Sequence, residues 1–263
     1  MREQPKVEKP PLKALLIDVD GVLRIRSTPL PGAAETIAAL RRRRFPFRLL
    51  TNVSTKSRAE EAARLGALGI SVEAKEIYTA SYLAAEYLRR RGARRCWLLV
   101  NGSAREEFAG LELTEEDADF VVLGDLGDAF NASILNRVYR ALLAGAHLVA
   151  IHRNATWTSE DGPRLDVGAW VAALECATAQ PALVMGKPAP FAYHLPAEEL
   201  GVPHRHIGMV SDDPDVDLAG ARRAGLQTIL VRTTSLPQRR PVSPNEFDYM
   251  LDSIADLPAL LWA

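Results

Sequence analysis

The chain has 263 residues, of which 48% are hydrophobic and 25% are charged, and its formal net charge is -1. This length and composition are typical of a globular protein with one large domain or two small ones. Because a net charge near zero provides no broad basic field, we predict neither a nucleic-acid partner nor an anionic membrane surface.

The cysteines and the N-terminal sequence indicate the cellular compartment of the protein. Cys96 and Cys176 are its two cysteines, which excludes a disulfide-built scaffold, and their apolar neighbours predict that both are core residues. No stretch has the roughly 18 apolar residues of a membrane span. Residues 1–11 lack the apolar core of a signal peptide. We therefore predict a cytoplasmic protein whose residues 1–11 form a flexible tail.

The first predicted elements alternate between strands and helices. The apolar run Ala14–Val19 predicts a buried strand, because strands of parallel sheets are hydrophobic on both faces. It is followed by a helix over Ala33–Arg43, a strand over Arg48–Thr51 and a helix over Thr55–Leu68 with Gly69 at its left-handed end. Such alternation is typical of a parallel sheet covered by helices.

The middle of the chain has strands and helices of its own. Strands are predicted over Cys96–Val100, Phe120–Gly124 and Leu148–His152, and helices over about Asn131–Ala144 and Gly168–Thr178. The first of these helices has apolar residues at core-like spacing, namely Ile134, Leu135, Val138, Leu142 and Leu143. We interpret residues 81–182 as a smaller α/β domain inserted into the first domain.

The last part of the chain repeats the opening pattern. Strands are predicted over His206–Ser211 and Gln227–Arg232, a helix over Leu218–Ala224 before Gly225, and a final strand and helix at Tyr249 and Ile254–Leu261. The predicted fold class is therefore α/β. Residues 12–80 and 183–263 form a doubly wound, parallel-sheet, Rossmann-like core domain, and residues 81–182 are inserted into it.

Asp18 and Asp20 lie where the first predicted strand ends. Ligands of parallel sheets bind at this carboxyl edge, and Gly21 lets the backbone approach a ligand closely. Alone, the segment Asp18-Val19-Asp20-Gly21 could equally be a turn without chemistry.

Three later segments place polar groups after apolar runs in the same way. They are Thr51-Asn52, then Gly186-Lys187-Pro188, and finally Ser211-Asp212-Asp213-Pro214-Asp215-Val216-Asp217. Each segment is a weak signal, but all four in this order are an improbable accident. Within the last segment we interpret Asp213 and Asp215 as solvated groups or as weak supports of a site.

The acids suit a metal-assisted attack on phosphate. Mg²⁺ prefers oxygen ligands and keeps several waters. Asp18 and Asp212 can supply carboxylates, and Asp20 can supply its backbone carbonyl oxygen. Asp18 can attack phosphorus to form an aspartyl-phosphate. Asp20 can protonate the leaving oxygen and then deprotonate the water that hydrolyses the intermediate.

The remaining polar groups suit the phosphoryl oxygens. Lys187 can add positive charge near these oxygens and restrain the clustered acids. Thr51 and the backbone N–H groups near Gly21 and Asn52 can donate hydrogen bonds to them. We therefore predict a phosphate-binding set formed by Gly21, Thr51, Asn52 and Lys187.

These four segments resemble the motifs of the haloacid-dehalogenase-type phosphatase superfamily, over nearly the whole chain after the tail. The insertion between Thr51 and Lys187 resembles the superfamily's large α/β cap of the second type. Further stretches resemble the NagD-like subfamily, namely Gly124-Asp125-Leu126-Gly127, Leu142–Ala146, Leu148–His152, Asp161-Gly162, Ala173-Leu174-Glu175 and Gly186-Lys187-Pro188.

The resemblance implies a Mg²⁺-dependent phosphatase acting on a small phosphorylated metabolite. The implied roles are Asp18 as nucleophile, Asp20 as acid/base, Thr51 and Lys187 as phosphate-site residues, Asp18, Asp20 and Asp212 as metal ligands, and Asp217 as a support for the metal or for Lys187. Dehalogenases of the superfamily lack an acid/base at the position of Asp20. Ser211 is a departure, because glycine is common before the metal-binding acid, and this leaves the geometry of the loop open.

Three questions stay open at this stage. His152–Trp157, together with Ser159–Gly162, is a candidate substrate-facing segment of the cap, although an ordinary polar loop is the explanation that we favour. The activity could instead be that of a pyrophosphatase or phosphoamidase, or of a receiver-like protein that binds Mg²⁺ and accepts phosphate without hydrolysing it. A receiver domain is about half this length and lacks the acid at the position of Asp20, which favours a hydrolase. A homodimer through the cap is predicted from the apolar helix at Asn131–Ala144, which core packing also explains.

Overall fold

The computed structural model describes residues 9–159, 162–232, 243 and 246–262. The strands are β1 (Ala14–Asp18), β2 (Arg24–Ile25), β3 (Thr28–Pro29), β4 (Phe47–Thr51), β5 (Ile77–Thr79), β6 (Arg95–Leu99), β7 (Glu112–Leu113), β8 (Phe120–Leu123), β9 (His147–Ala150), β10 (Thr156–Ser159), β11 (Gly162–Leu165), β12 (Leu183–Val184), β13 (Ile207–Ser211), β14 (Gln227–Val231) and β15 (Tyr249–Leu251). The helices are α1 (Ala33–Arg42), α2 (Arg58–Ala67), α3 (Ala80–Arg90), α4 (Ala132–Leu143), α5 (Val167–Thr178), α6 (Pro190–Leu200), α7 (Ala219–Arg223) and α8 (Leu257–Trp262). A π-helical turn spans Pro214–Leu218.

The chain divides into two compact units. The first contains the residues up to Arg48 and those from Pro196 onward, and the second is Leu49–Leu195. The chain passes from one unit to the other within β4 and within α6. The predicted limits of the inserted domain, residues 81 and 182, stay a prediction.

The first unit contains a run of parallel strands in the order β15-β14-β13-β1. Every residue of β1, β13 and β14 is buried, as their apolar sequences predict for strands covered on both faces. Ile17 is paired with Val210, and Ser211 with Leu230. The carboxyl ends of β1 and β13 therefore lie side by side.

The second unit contains two groups of parallel strands. β4 pairs with β5, and a five-stranded sheet has the order β12-β9-β8-β6-β7. α4 and α5 pack on the five-stranded sheet through a cluster that includes Val121, Val138, Leu142, Val171 and Leu174. The predicted α/β class is thus confirmed in both units.

The predicted apolar face of α4 is only partly buried. Val138 and Leu142 are buried, and Ile134 and Leu135 pack partly against the same cluster. The core assignment of Leu143 is wrong, since this side chain is 60% exposed. Leu143 follows Leu142 by one residue, which turns it about 100° away from the buried stripe.

Most predicted elements form within one to three residues of their expected limits. α2 begins at Arg58 rather than Thr55, because the Ser57 hydroxyl accepts the Glu60 N–H and caps the helix there. The sequence interpretation missed β5 with α3, the β10–β11 hairpin and α6. β5 has three residues, too few for a periodic pattern to be recognised.

The two cysteines differ in environment. Cys96 is buried in β6 as predicted, and burial raises the pKa of its thiol to about 11. The prediction for Cys176 is wrong, because this residue is exposed. α5 buries Val167, Val171 and Leu174, and Cys176 lies off the face that these residues define.

The predicted tail is described from Lys9 onward, and residues 1–8 lie outside the described residues. Gln227 Nε2 donates to the Pro10 carbonyl oxygen at 2.9 Å, and His206 Nδ1 lies 2.8 Å from the Pro11 carbonyl oxygen. Pro10 and Pro11 are therefore held against the first unit. Among the described residues, no helix is long and apolar enough to cross a membrane.

Candidate functional site

Asp18 is the last residue of β1, at the edge where ligands of parallel sheets bind. Its side chain is 7% exposed, and its Oδ1 accepts the Val19 N–H at 2.8 Å. A carboxylate so well buried is stabilised only by hydrogen bonds or by a cation. Asp18 is therefore placed as the sequence predicts and is suited to face a cation.

Asp212 follows the last residue of β13, Ser211, directly. β1 and β13 are paired up to Ile17 and Val210, so one further residue along each strand sets Asp18 next to Ser211. Neighbouring strands are about 4.8 Å apart. The Asp212 side chain is 8% exposed. Two nearly buried carboxylates at adjacent strand ends repel each other unless a cation lies nearby.

The donor set fits Mg²⁺. Asp18 and Asp212 offer two carboxylates, and the nearby backbone carbonyl of Asp20 is a further oxygen, which are the ligands that this ion prefers. In the described part of the chain, no group of three or more His, Cys, Asp or Glu side chains is arranged to hold a metal ion. The predicted set requires two side chains, with the other ligands coming from the backbone, water and substrate.

Ser211 organises the loop after β13. This residue is fully buried, and its hydroxyl donates to Asp217 Oδ2 at 2.8 Å while accepting the Asp213 N–H at 3.1 Å. Asp217 is 4% exposed. Ser211 therefore fits into the loop, and its hydrogen bond orients the Asp217 side chain toward the end of β13.

The substitution Ser211→Ala is expected to lower the free energy of unfolding by about 1–3 kcal/mol, because it removes a hydrogen bond from a buried carboxylate. Urea denaturation measures this loss. Ser253→Ala is a matched control, because the Ser253 hydroxyl accepts the Ala255 N–H in an exposed 3-10 turn. This control should cost about 1 kcal/mol or less. Equal losses in the two variants would contradict the role assigned to Ser211.

Asp213 and Asp215 have separate positions in the same loop. Asp213 Oδ1 accepts the N–H groups of Asp215 and Val216 at 3.0 and 2.8 Å and so caps the π-helical turn. Asp215 is exposed. The interpretation of Asp215 as a solvated group agrees with this position, and Asp213 has a capping role that the sequence did not reveal.

Asp20 lies two residues beyond Asp18 in a tight turn. Gly21 has a φ of 90°, a left-handed conformation that glycine adopts readily. The Gly21 N–H donates to the Arg24 carbonyl oxygen at 2.7 Å. Gly21 is thus used to form the turn, and its predicted contact with phosphate stays a prediction.

Arg24 is a site residue that the sequence interpretation missed. Its side chain is 2% exposed, and its Nε donates to Asp20 Oδ1 at 3.0 Å. The available signal was a single charge in the otherwise apolar run Val22-Leu23-Arg24-Ile25. Such a charge is more often solvated, so the pattern alone could not identify it.

Thr51, Asn52 and Lys187 are described within the second unit. Thr51 ends β4 and is 2% exposed, and its Oγ1 accepts the Val53 N–H at 3.2 Å. Asn52 and Lys187 are joined by two hydrogen bonds. Lys187 N–H donates to Asn52 Oδ1 at 2.8 Å, and Asn52 Nδ2 donates to the Lys187 carbonyl oxygen at 2.9 Å. The structure therefore brings Asn52 and Lys187 together across 135 positions of the chain.

The candidate substrate-facing segment has mixed exposure. His152 is 2% exposed, burial lowers the pKa of its imidazole, and its Nδ1 accepts the Asn154 N–H at 3.3 Å. Arg153 forms an ion pair with Glu175. Trp157, in β10, is 45% exposed. Arg153 and Trp157 are thus both exposed, whereas His152 is buried.

Comparison with known protein families gives two matches along the chain. The sequence profile described as haloacid dehalogenase-like hydrolase matches residues 15–114. The profile described as HAD-hydrolase-like matches residues 184–257. The two matched segments include every candidate site residue named above: Asp18, Asp20, Gly21, Thr51, Asn52, Lys187, Asp212 and Asp217.

Two curated proteins are similar over most of their length. Haloacid dehalogenase-like hydrolase domain-containing protein 2 of Bos taurus is 36% identical over 222 residues, covering 84% of this chain and 85% of that protein. Phospholysine phosphohistidine inorganic pyrophosphate phosphatase of Homo sapiens is 30% identical over 257 residues, covering 95% of this chain and 94% of that protein.

A solved structure extends the similarity to the fold. The 4-nitrophenylphosphatase of Thermotoga maritima superimposes with a TM-score of 0.85 at 28% identity, covering 95% of this chain and 97% of that one. This similarity confirms the predicted fold class, a parallel-sheet Rossmann-like core with an inserted α/β domain.

Proposed function

Because the chain belongs to the haloacid dehalogenase-like hydrolase family, whose members similar to it are phosphatases, we propose that it is a Mg²⁺-dependent phosphohydrolase acting through an aspartyl-phosphate. Its substrate class is a small phosphorylated metabolite. One observation carries the proposal: Asp18 ends β1, Asp212 directly follows the adjacent parallel strand β13, and both are nearly buried, while Asp20 follows Asp18 by two residues.

The acids divide the reaction into two steps. An oxygen of Asp18 attacks phosphorus as the bond from phosphorus to the leaving oxygen breaks, and Asp20 gives that oxygen its proton. Water then attacks the phosphorus of the aspartyl-phosphate and loses a proton to Asp20, which releases phosphate and restores Asp18. Mg²⁺, when bound by the Asp18 and Asp212 carboxylates and the Asp20 carbonyl, neutralises the phosphate charge that otherwise repels Asp18.

The family motifs assign the phosphoryl oxygens to Thr51 and Lys187. The Thr51 hydroxyl and the Lys187 ammonium are donors of the kind that stabilise charge on these oxygens. The hydrogen bonds from Asn52 hold the backbone on both sides of the Lys187 α-carbon. In this proposal Asn52 acts mainly by keeping Lys187 in place, in addition to the predicted contact from its backbone N–H.

A second candidate activity is hydrolysis of pyrophosphate or of a phosphoamide. The observation that favours it is the 30% identity, over 95% of this chain, to a relative named for phospholysine, phosphohistidine and inorganic pyrophosphate. The same nucleophile and acid/base serve both activities, because they differ in the leaving group. A phospho-acceptor without turnover is disfavoured, because Asp18 and Asp20 are both present.

The purified chain is expected to hydrolyse p-nitrophenyl phosphate in the presence of Mg²⁺, and to lose this activity when EDTA removes the metal. Restoring Mg²⁺ in excess should restore the rate, because the proposed site is formed by oxygen ligands without thiolates or histidines. A panel that includes alkyl phosphates, pyrophosphate and phosphohistidine then separates the two candidate activities. Failure to turn over any member of the panel with Mg²⁺ would remove the hydrolase proposal.

The role of the inserted domain, the oligomeric state, the cellular location and the partners are also proposals. The inserted domain is proposed to select the substrate. A homodimer through this domain, a cytoplasmic location and the lack of a nucleic-acid partner also remain predictions.

A further inference from the structure

Arg24 carries a positive charge into the interior of the first unit. Its side chain is 2% exposed, in a segment where Val22 and Leu23 are fully buried. Burying a guanidinium is costly unless a carboxylate or several acceptors compensate it. The partner that the structure provides in this turn is Asp20, whose Oδ1 accepts the Arg24 Nε–H at 3.0 Å.

The backbone of the same turn brings the two side chains together. The Gly21 N–H donates to the Arg24 carbonyl oxygen at 2.7 Å, and the Arg24 N–H donates to the Val19 carbonyl oxygen at 3.2 Å. Asp20 and Arg24 also form an isolated bridge between backbones. The distance from the carboxylate to the guanidinium is therefore set by backbone contacts as well as by the ion pair.

The ion pair leaves one end of the Asp20 carboxylate toward solvent. Asp20 is 52% exposed although Arg24 is buried, so the guanidinium holds the carboxylate from the inner side. Because Nε–H binds Oδ1, the other oxygen, Oδ2, is the one placed to meet a substrate. A carboxylate at an exposed turn otherwise samples several rotamers, and restraining it contributes to reactivity by orientation.

We propose that Arg24 is a positioning residue for Asp20, holding Oδ1 so that Oδ2 carries the proton to the leaving-group oxygen. This inference rests on the proposed function. In the first step, the bond between Asp18 and phosphorus forms, the bond between phosphorus and the leaving oxygen breaks, and the Oδ2 proton moves to that oxygen. In the second step, the bond between the water oxygen and phosphorus forms, the bond between Asp18 and phosphorus breaks, and Oδ2 takes a proton from the attacking water. Arg24 exchanges no proton in either step.

Leaving groups of different basicity separate this role from a structural one. Departure of an alkoxide requires the acid, whereas p-nitrophenolate is stabilised and leaves almost without it. Arg24→Met is therefore expected to lower kcat/KM for an alkyl phosphate by about 30-fold or more, and for p-nitrophenyl phosphate by less than about 3-fold. Here kcat/KM is the suitable quantity, because it reports the steps up to departure of the leaving group.

Two further variants test the pathway through Asp20. Asp20→Asn should show the same preference for p-nitrophenyl phosphate in a stronger form. The double variant, Asp20→Asn with Arg24→Met, should hydrolyse the alkyl phosphate no more slowly than Asp20→Asn alone. Arg24→Lys keeps the positive charge, so its loss of kcat/KM for the alkyl phosphate should be smaller than that of Arg24→Met. Asp20 is half exposed, so water can solvate its carboxylate when Arg24→Met removes the ion pair, and circular dichroism checks that the variant folds. If Arg24→Met does not fold, Arg24→Lys is used instead, and its kcat/KM for the alkyl phosphate is compared with its kcat/KM for p-nitrophenyl phosphate.

The outcomes are distinct. The positioning role would be overturned if Arg24→Met lowered kcat/KM equally for both esters. It would also be overturned if the losses of kcat/KM caused by Arg24→Met and Asp20→Asn multiplied in the double variant. In both cases the wild type would remain a phosphatase. A wild type that hydrolyses neither ester with Mg²⁺ would overturn the proposed function and this inference with it. The expected result is a preference of Arg24→Met for the activated ester, together with no additional loss of kcat/KM when Arg24→Met is introduced into the Asp20→Asn background.

Discussion

Asp18→Asn is expected to lower kcat for p-nitrophenyl phosphate by at least about 10⁴-fold, the scale of losing a covalent nucleophile. An amide oxygen is a poor nucleophile, and this one also loses the charge that binds a cation. Asn has nearly the shape of Asp, and the Val19 N–H can still donate to its side-chain oxygen, as it does to Asp18 Oδ1 at 2.8 Å. The expected loss is therefore one of chemistry and not of folding.

Acid quenching with a labelled substrate distinguishes a nucleophile from a metal ligand. Rapid acid quenching with a ³²P-labelled substrate should trap label on the wild-type protein and none on the Asp18→Asn variant, at any Mg²⁺ concentration. Asp252→Asn is a matched control, since Asp252 is 81% exposed and contacts Arg232 at the surface. It should change kcat by less than about 2-fold. Substantial turnover by Asp18→Asn, or label trapped on it, would remove Asp18 from the nucleophile role.

Gly186→Ala is expected to lower turnover by about 100-fold, because it displaces the backbone that carries Lys187. A Cβ at position 186 would lie 2.5 Å from Asn52 Oδ1 and 2.9 Å from the Ile151 carbonyl oxygen. The Gly186 N–H already donates to the same Ile151 oxygen at 2.7 Å, so the backbone has little room to move. The added methyl group must therefore push Asn52 away from the hydrogen bonds that it makes with Lys187.

The same substitution should lower the free energy of unfolding by about 1–3 kcal/mol, as for other overpacked sites. Steady-state kinetics and urea denaturation measure the two effects. Gly66→Ala is the matched control, because a Cβ at position 66 in α2 meets no atom within 4 Å. This control should leave turnover unchanged and raise stability by about 0.5–1 kcal/mol. Wild-type turnover in Gly186→Ala would show that the contact between Asn52 and Lys187 does not matter for activity.

The ion pair between half-exposed Asp20 and buried Arg24 adds a consequence for substrate choice. A phosphatase that positions its acid firmly is suited to substrates whose leaving oxygen is basic, such as alkyl phosphates. Pyrophosphate has a stabilised leaving group and depends less on that acid. Comparing the Arg24 variants on these two substrates therefore also bears on the choice between the two candidate activities.

The strands and the position of Asp18 at a strand end could be predicted because their signals are local. β1, β13 and β14 are short apolar runs followed by polar residues, and burial on both faces requires such runs. Asp18 and Asp212 follow two of these runs directly. Since parallel strands end at a common edge, the order of motifs along the chain was sufficient to expect the two acids together.

The wrong predictions concern the burial of side chains, which depends on tertiary packing. Leu143 and Cys176 have apolar neighbours in sequence, yet both are exposed, because a helix turns about 100° per residue and neighbours face different directions. His152 ends an apolar run and precedes polar residues, so its sequence neighbours leave its burial undecided, and the structure buries it. Local composition reports the average of several directions, and only the packed helix or loop assigns one of them to a side chain.

The class of reaction was thus contained in the primary structure, since carboxylates, a hydroxyl and a lysine after predicted strands define a chemistry wherever the strands come together. Three contacts emerged only from the folded chain: Ser211 with Asp217, Arg24 with Asp20, and Asn52 with Lys187. Each depends on hydrogen-bond distances of 2.8 to 3.0 Å. Such distances are fixed by backbone turns and by strand register, which residue types and their spacing do not specify. The acid at the end of β1 could therefore be identified from its motif, while the groups that orient its neighbours required the tertiary structure.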